Sequence, residues 1–470
     1  MTQVGDPIDA RRRILVVGFG VAGHGIAADA RAHGHDVVGF LDDAKQDPEV
    51  LGVLADVNRV VRDHDVDSVY FAIPTIEAHR LREFLAGLEQ TGLTLSILPR
   101  TYKTISSEAV SVSDLTDVDV LQLVGREPVK HDLLHARTMV GGKRVLVTGA
   151  AGSIGSRLVE HLLALGVAEV VALDWWETGL FHLENRLHDE RLRIVVADVK
   201  NERRIERVFD ERRPELVFHA AAYKHVPLME HNPTEAVVNN AFGAENVLRQ
   251  AIAVGASHAV YVSTDKAVRP ANVMGSTKRL GELLLRDLAA TSGETKLTAV
   301  RFGNVLQSNG SVMETFRRQI EAGGPLTVTH RDVTRFFMTI DEAAQLIIQS
   351  ALLGSNGDIC VLDMGEPVRI MDLAESLVHA IAPQVRIEVT QLRPGEKLYE
   401  ELTYNPDLAT STANSKVFIL QVEDEMQVPV ERIRALIERV RSGAADDEET
   451  VSELRDMGFA IRAQSPAEQG

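Results

Sequence analysis

The chain has 470 residues, 45% hydrophobic and 25% charged, a balance that fits two or three ordinary globular domains. Its formal net charge of −18 works against general binding to nucleic acid or anionic membranes, both of which need a cationic surface. The single cysteine, Cys360, permits no intrachain disulfide, which fits a reducing compartment; its apolar run Ile359-Cys360-Val361-Leu362 marks it as a core residue.

Met1 to Arg13 is short and polar, without the apolar stretch of a signal peptide, so 1–12 reads as a tail. No run of roughly 18 apolar residues occurs, so no membrane-spanning helix is expected. Two segments then open alike: basic residues, a short apolar run, a glycine turn and a helical pattern. The first is Arg12-Arg13-Ile14-Leu15-Val16-Val17-Gly18 and the second Lys143-Arg144-Val145-Leu146-Val147-Thr148-Gly149. Apolar runs bounded by glycine read as buried strands of a parallel sheet, and strands alternating with helices make a doubly wound α/β layer. The expected fold is therefore α/β, with two tandem Rossmann-like doubly wound parallel-sheet domains at 13–98 and 143–421. Residues 99–142 read as a connecting segment, and 422–470 as an acidic stretch with one helix, a solvated run Asp446-Asp447-Glu448-Glu449 and a frayed end.

In the first domain Gly18-Phe19-Gly20-Val21-Ala22-Gly23 fits GxGxxG, with Asp42 and Asp43 about 20 residues on, where a ribose-binding acid would sit. Two readings compete there: a ligand-binding turn, and a structural turn in a docking domain. In the second domain Gly149-Ala150-Ala151-Gly152-Ser153-Ile154-Gly155 is GxxGxxG. Glycines let the backbone approach a pyrophosphate at a helix N-terminus. Asp174 ends the next strand, where a carboxylate accepts hydrogen bonds from the adenosine ribose and repels a 2′-phosphate, so NAD is expected over NADP. Asp198-Val199 follows the third strand, at the adenine position of such folds.

Further on, the strand Val260-Tyr261-Val262 leads into Ser263-Thr264-Asp265-Lys266-Ala267, and Met274-Gly275-Ser276-Thr277-Lys278 follows. An acid and a base stand adjacent in Asp265-Lys266; as a bare polar strand end, the same residues would only cap a turn. Short-chain dehydrogenases place a YxxxK pair here, and this chain keeps Lys278 with Met274 at the tyrosine position. Together with Ala221-Ala222-Tyr223-Lys224-His225-Val226-Pro227-Leu228-Met229-Glu230, Arg301-Phe302-Gly303-Asn304-Val305, Val333-Thr334-Arg335-Phe336-Phe337-Met338-Thr339 and Leu392-Arg393-Pro394-Gly395-Glu396-Lys397-Leu398-Tyr399-Glu400-Glu401, this resembles the nucleotide-sugar 4,6-dehydratases of the extended short-chain dehydrogenase family. The likeness is to the CapD-like group that acts on UDP-N-acetylglucosamine, several of whose members carry methionine at the same place. It runs from about 13 to 420 and is specific from 143 to 405.

The resemblance implies an extended short-chain dehydrogenase fold with a small C-terminal substrate lobe. It implies tightly held NAD lined by Gly149, Gly152, Ser153, Ile154, Gly155, Asp174, Asp198, Val199, Ala220, Ala221, Ala222 and Lys278. In the implied chemistry the sugar is oxidised at C4, water is eliminated across C5 and C6, and hydride returns to C6. Asp265 would be the acid at the C6 hydroxyl, Lys266 the base at C5 in its neutral form, Thr264 the partner of O4 and Lys278 the holder of the nicotinamide ribose, with Met274 unable to take a proton. Lys224, His225, Asn304, Arg335, Arg393 and Glu396 would meet a UDP-sugar, the two arginines either as phosphate contacts or as ion pairs and His225 either as a contact or as a structural residue. No metal ligands are expected. A homodimer or higher homo-oligomer, a cytoplasmic location and a soluble form lacking the membrane helices of many relatives belong to the same expectation. A nucleotide-sugar 4-epimerase and a non-catalytic NAD-binding sensor are the competing readings; the first needs no acid–base pair for water loss, and the second needs none of the retained site residues.

Overall fold

The computed structural model describes residues 12–73, 76, 78–89, 93, 95–97, 116–117, 134–306, 308, 310–382, 384–420 and 428–461. The expected N-terminal tail up to residue 11, most of the connecting segment and the frayed end at 462–470 lie outside the described residues. The chain divides into two compact units.

In the first unit the main sheet is formed by β1 (Arg13–Val17), β2 (Asp36–Leu41), β3 (Val50–Gly52), β4 (Ser68–Phe71), β5 (Leu95–Ile97) and β6 (Thr116–Asp117), in the order β3-β2-β1-β4-β5-β6. Pairs from β3 to β5 are parallel and β6 is antiparallel to β5. Ile14 and Val16 of β1 bury against Ile26, Ala27 and Ala30 of the helix Val21–Ala32. This unit also takes in Thr315–Arg331 and Val368–Thr390, segments that lie within the 143–421 span. There Leu326–Val328 pairs in parallel with Ile387–Val389, and the helix Ile370–Ile381 packs on Ala78–Glu89.

The second unit is built on β7 (Arg144–Thr148), β8 (Glu169–Asp174), β9 (Leu192–Val196), β10 (Leu216–His219), β11 (His258–Val262), β12 (Lys296–Arg301), β13 (Ile359–Leu362), β14 (Ala409–Ser411) and β15 (Val417–Leu420). Their order is β14-β15-β13-β12-β11-β10-β7-β8-β9, parallel from β9 to β13, with β15 antiparallel to β13 and β14 antiparallel to β15. Chain direction across the sheet reverses between β7 and β10, and at such a switch point the loops above the strand ends part to leave a crevice. One apolar layer lies between this sheet and the helices Ser153–Ala164 and Ile340–Leu353, and a second lies under Glu202–Arg212, Gly243–Ala253 and Val273–Ala289.

A third apolar cluster corrects the reading of the C-terminal stretch. It forms two helices, Val430–Arg441 and Asp447–Asp456, not one. Ile433, Leu436, Ile437, Val440 and Leu454 are buried with Val237, Leu280 and Leu284. The acidic run is the start of the second helix: Asp446 caps it, accepting from the Glu449 N–H at 2.9 Å, and carboxylates in a first turn favour the helix dipole. Cys360 is fully buried, and burial pushes its thiol up to about 12, as expected of a core residue.

Candidate active site

The glycine turn follows β7 at the switch point. Gly149 has φ +70°, and a Cβ there would stand 2.5 Å from the Ala221 nitrogen. A Cβ on Gly155 would stand 2.0 Å from the Gly149 carbonyl oxygen. Glycine is thus required at both places, and the turn leaves a backbone cradle at the N-terminus of the helix Ser153–Ala164, which holds Ser153 and Ile154 and which Gly152 caps. Asp174 anchors the cradle, accepting from the Ala151 and Trp176 N–H groups at 3.0 Å each. Trp175 and Trp176 beside it are 60% and 44% exposed. Ala220 donates its N–H to the Thr148 carbonyl at 3.1 Å, which draws Ala220, Ala221 and Ala222 alongside the cradle. Val199 is buried where Asn246 donates to its carbonyl at 2.8 Å, and Asp198 accepts from the Lys200 N–H.

The loop after β11 continues the ladder with β12, since Ser263 and Asp265 donate their N–H groups to the carbonyls of Val300 and Phe302. Thr264 caps the single turn Asp265–Ala267. Its hydroxyl donates to Asp265 Oδ1 at 2.8 Å, and Lys266 Nζ reaches the same oxygen at 3.0 Å and Asn304 Oδ1 at 3.1 Å. Asp265 is fully buried, and its Oδ2 has no hydrogen-bond partner. The neighbouring carboxylates Asp265 and Glu400, the latter 3.9 Å from Nζ, outweigh burial and hold Lys266 above the ordinary lysine range. This direction is opposite to the lowering by desolvation that the sequence led one to expect for Lys266.

Lys278 lies on the helix Val273–Ala289 and donates to the Val262 carbonyl at 2.6 Å, with Nζ 4.1 Å from the Tyr261 ring centre. Burial pulls its pKa down to about 7 against the opposing charge of Glu282. Met274 is buried in the apolar cluster shared with the C-terminal helices. Lys224 and His225 reach solvent; crowding by protein and the charge of Lys266 lower the Lys224 pKa, while crowding and Lys224 lower that of His225. Arg335 pairs with Glu396 at 3.0 Å and donates to the Thr334 carbonyl at 2.7 Å. The Arg393 side chain is exposed, and its N–H donates to Glu396 at 3.1 Å.

Several residues that position the site had no motif to betray them. Glu282 is completely buried between Arg279 and Arg301, at 3.0 and 2.8 Å, and accepts the Ser263 hydroxyl at 2.6 Å, fixing the base of the Thr264–Lys266 loop. Asn240 sits in a π-helical turn, Val237–Phe242, where its side chain bonds the Tyr223 backbone at 2.8 and 3.0 Å and the Thr277 hydroxyl at 3.0 Å. His219 shares a 2.7 Å hydrogen bond with Thr148 and stacks on Tyr261.

A family model described as polysaccharide biosynthesis protein matches residues 145–422, and the chain belongs to that family. The capsular polysaccharide biosynthesis protein CapD of Staphylococcus aureus is 39% identical over 393 residues, which are 82% of this chain and 65% of CapD, so the chain spans just under two thirds of that relative. A UDP-glucose 4-epimerase of Rickettsia canadensis is 36% identical over 57% of this chain and 79% of its own. Among solved structures Pen from Bacillus thuringiensis matches 64% of this chain and 99% of its own at 32% identity and a TM-score of 0.57. Among the described residues no helix is long and apolar enough to cross a membrane.

Proposed function

We propose that the chain is an NAD-dependent nucleotide-sugar 4,6-dehydratase acting on UDP-N-acetylglucosamine for glycan or polysaccharide synthesis. The adjacency of Asp265 and Lys266 in the loop after β11 carries the reading, because water loss needs an acid and a base on neighbouring carbons. The Gly149–Gly155 turn fits a dinucleotide pyrophosphate, since its glycines let the backbone fold tightly at the N-terminus of the helix Ser153–Ala164, and Asp174, bonded to that turn, is the candidate for the ribose. When bound, NAD supplies the acceptor for the C4 hydride and gives it back at C6.

Lys266 takes the C5 proton, the electron pair shifts toward C6, and Asp265 delivers a proton to the departing C6 hydroxyl. Thr264 holds O4. Arg393, Lys224, His225 and Asn304 are left for the nucleotide diphosphate and the sugar.

The test is mass spectrometry of UDP-N-acetylglucosamine incubated with the protein and a trace of NAD. The expected product is lighter by one water, and Asp265→Asn and Lys266→Met lower its rate by at least about 100-fold, the scale of a lost general acid or base. A 4-epimerase is the second reading, favoured by the Rickettsia relative. An isomer of unchanged mass would establish it instead.

A further inference from the structure

We propose that Glu400 is a positioning residue of the Asp265–Lys266 site whose buried carboxylate faces Lys266 and so sets the pH at which that lysine becomes neutral. The inference rests on the dehydratase reading for its purpose, though not for its geometry. Glu400 is separated from Lys266 by more than a hundred residues in sequence, and a clasped loop carries it in. Gly395, at φ +74°, lies against Asn272, whose side-chain amide donates to the Gly395 carbonyl at 2.9 Å, and Lys397 donates to the Val268 carbonyl at 2.8 Å. The Glu400 side chain is 3% exposed, with Oε1 3.9 Å from Lys266 Nζ. Its Oε2 is buried without a hydrogen-bond partner, as is Asp265 Oδ2.

Two buried carboxyl groups thus flank one ammonium, and each has a vacant oxygen. The charged groups bearing on Glu400 are Lys266, Asp265, Arg335 and Lys397; those bearing on Lys266 are Asp265, Glu400 and Arg335, and Lys224 and Lys266 repel each other. Burial first, and then Asp265, raise the Glu400 pKa against the pull of Lys266.

The experiment is competitive acetylation of the full chain with acetic anhydride across a pH series, read at the Lys266 peptide by mass spectrometry, with Lys296 as internal reference. In Glu400→Gln the ammonium loses an acidic neighbour, so the midpoint of Lys266 labelling falls by about one pH unit or more. Glu400→Asp gives a smaller shift in the same direction, and the acid limb of the dehydration pH profile moves with it while NAD binding is kept. An unshifted Lys266 midpoint in folded Glu400→Gln overturns the proposal even if dehydration is confirmed. A wild-type protein that dehydrates no nucleotide sugar overturns the function reading, while the labelling midpoint still decides the role of Glu400. If Glu400→Gln does not fold, an unshifted midpoint in Glu400→Asp overturns the proposal.

Discussion

Beneath the catalytic loop, charge is buried on a scale that makes the fold sensitive to acid. Arg301 and Arg279 hold the Glu282 carboxyl down at about 2, although burial alone would raise it. His219 is wholly buried, and burial first, then the charge of Lys278, depresses its pKa to about 3. Both folded values lie below the ordinary ones of 4.5 and 6.5. The unfolded chain therefore takes up protons that the folded chain refuses, and stability falls as pH drops, through 6.5 toward 3 for His219 and through 4.5 toward 2 for Glu282. From His219 alone, unfolding in urea should cost about 2 kcal/mol less at pH 5 than at neutral pH. His219→Asn lowers stability at neutral pH but removes that part of the pH dependence. A variant with an undiminished acid slope would show that another group is responsible.

Among the elements, the helix Val273–Ala289 is the one on which the site turns. It carries Lys278, bears Glu282 and Arg279, and receives the C-terminal helices on its apolar side. Leu436 is 1% exposed in that contact. Leu436→Ala should cost about 2–4 kcal/mol and lower the melting temperature, with loss of activity following the loss of folded protein. Full activity together with an unchanged melting temperature would mean that the C-terminal helices are passengers. The parallel strands and both glycine turns could be read from the sequence because each is a local pattern of an apolar run, a glycine and a helical period. The C-terminal helices could not be read as partners of Met274 and Leu280, because their short amphipathic pattern beside an acidic run looks the same on a solvated tail as in a dock. The same limit hid the roles of Glu400 and Asn240. Their chemistry comes from contacts between distant segments, and although Glu400 lies in the family-like run Leu392–Glu401, nothing in that run says that it meets Lys266.

For the molecule as a whole, the two glycine turns repeat one piece of geometry. In the first unit Asp42 accepts from the Phe19 N–H at 2.8 Å, just as Asp174 accepts from that of Ala151. Gly18 has φ +106°, and a Cβ on Gly23 would stand 1.8 Å from the Gly18 carbonyl oxygen. A GxGxxG pattern therefore reports the turn and says nothing of what lies across it. The Asp265–Lys266 pair distinguishes the second unit; its adjacency is plain in the sequence and its proposed roles come from the family resemblance, whereas the carboxylate of Glu400 beside the lysine is supplied only by the fold.

The chain's two tryptophans, Trp175 and Trp176, stand next to each other beside the Asp174 anchor. The protein thus carries its own optical label at one address. Its intrinsic emission should change in step with a titration of NAD, with no dye attached, and should stay flat when only the first unit's turn is filled. A flat trace in protein shown by dialysis to have bound NAD would move the cofactor's seat away from Gly149–Gly155.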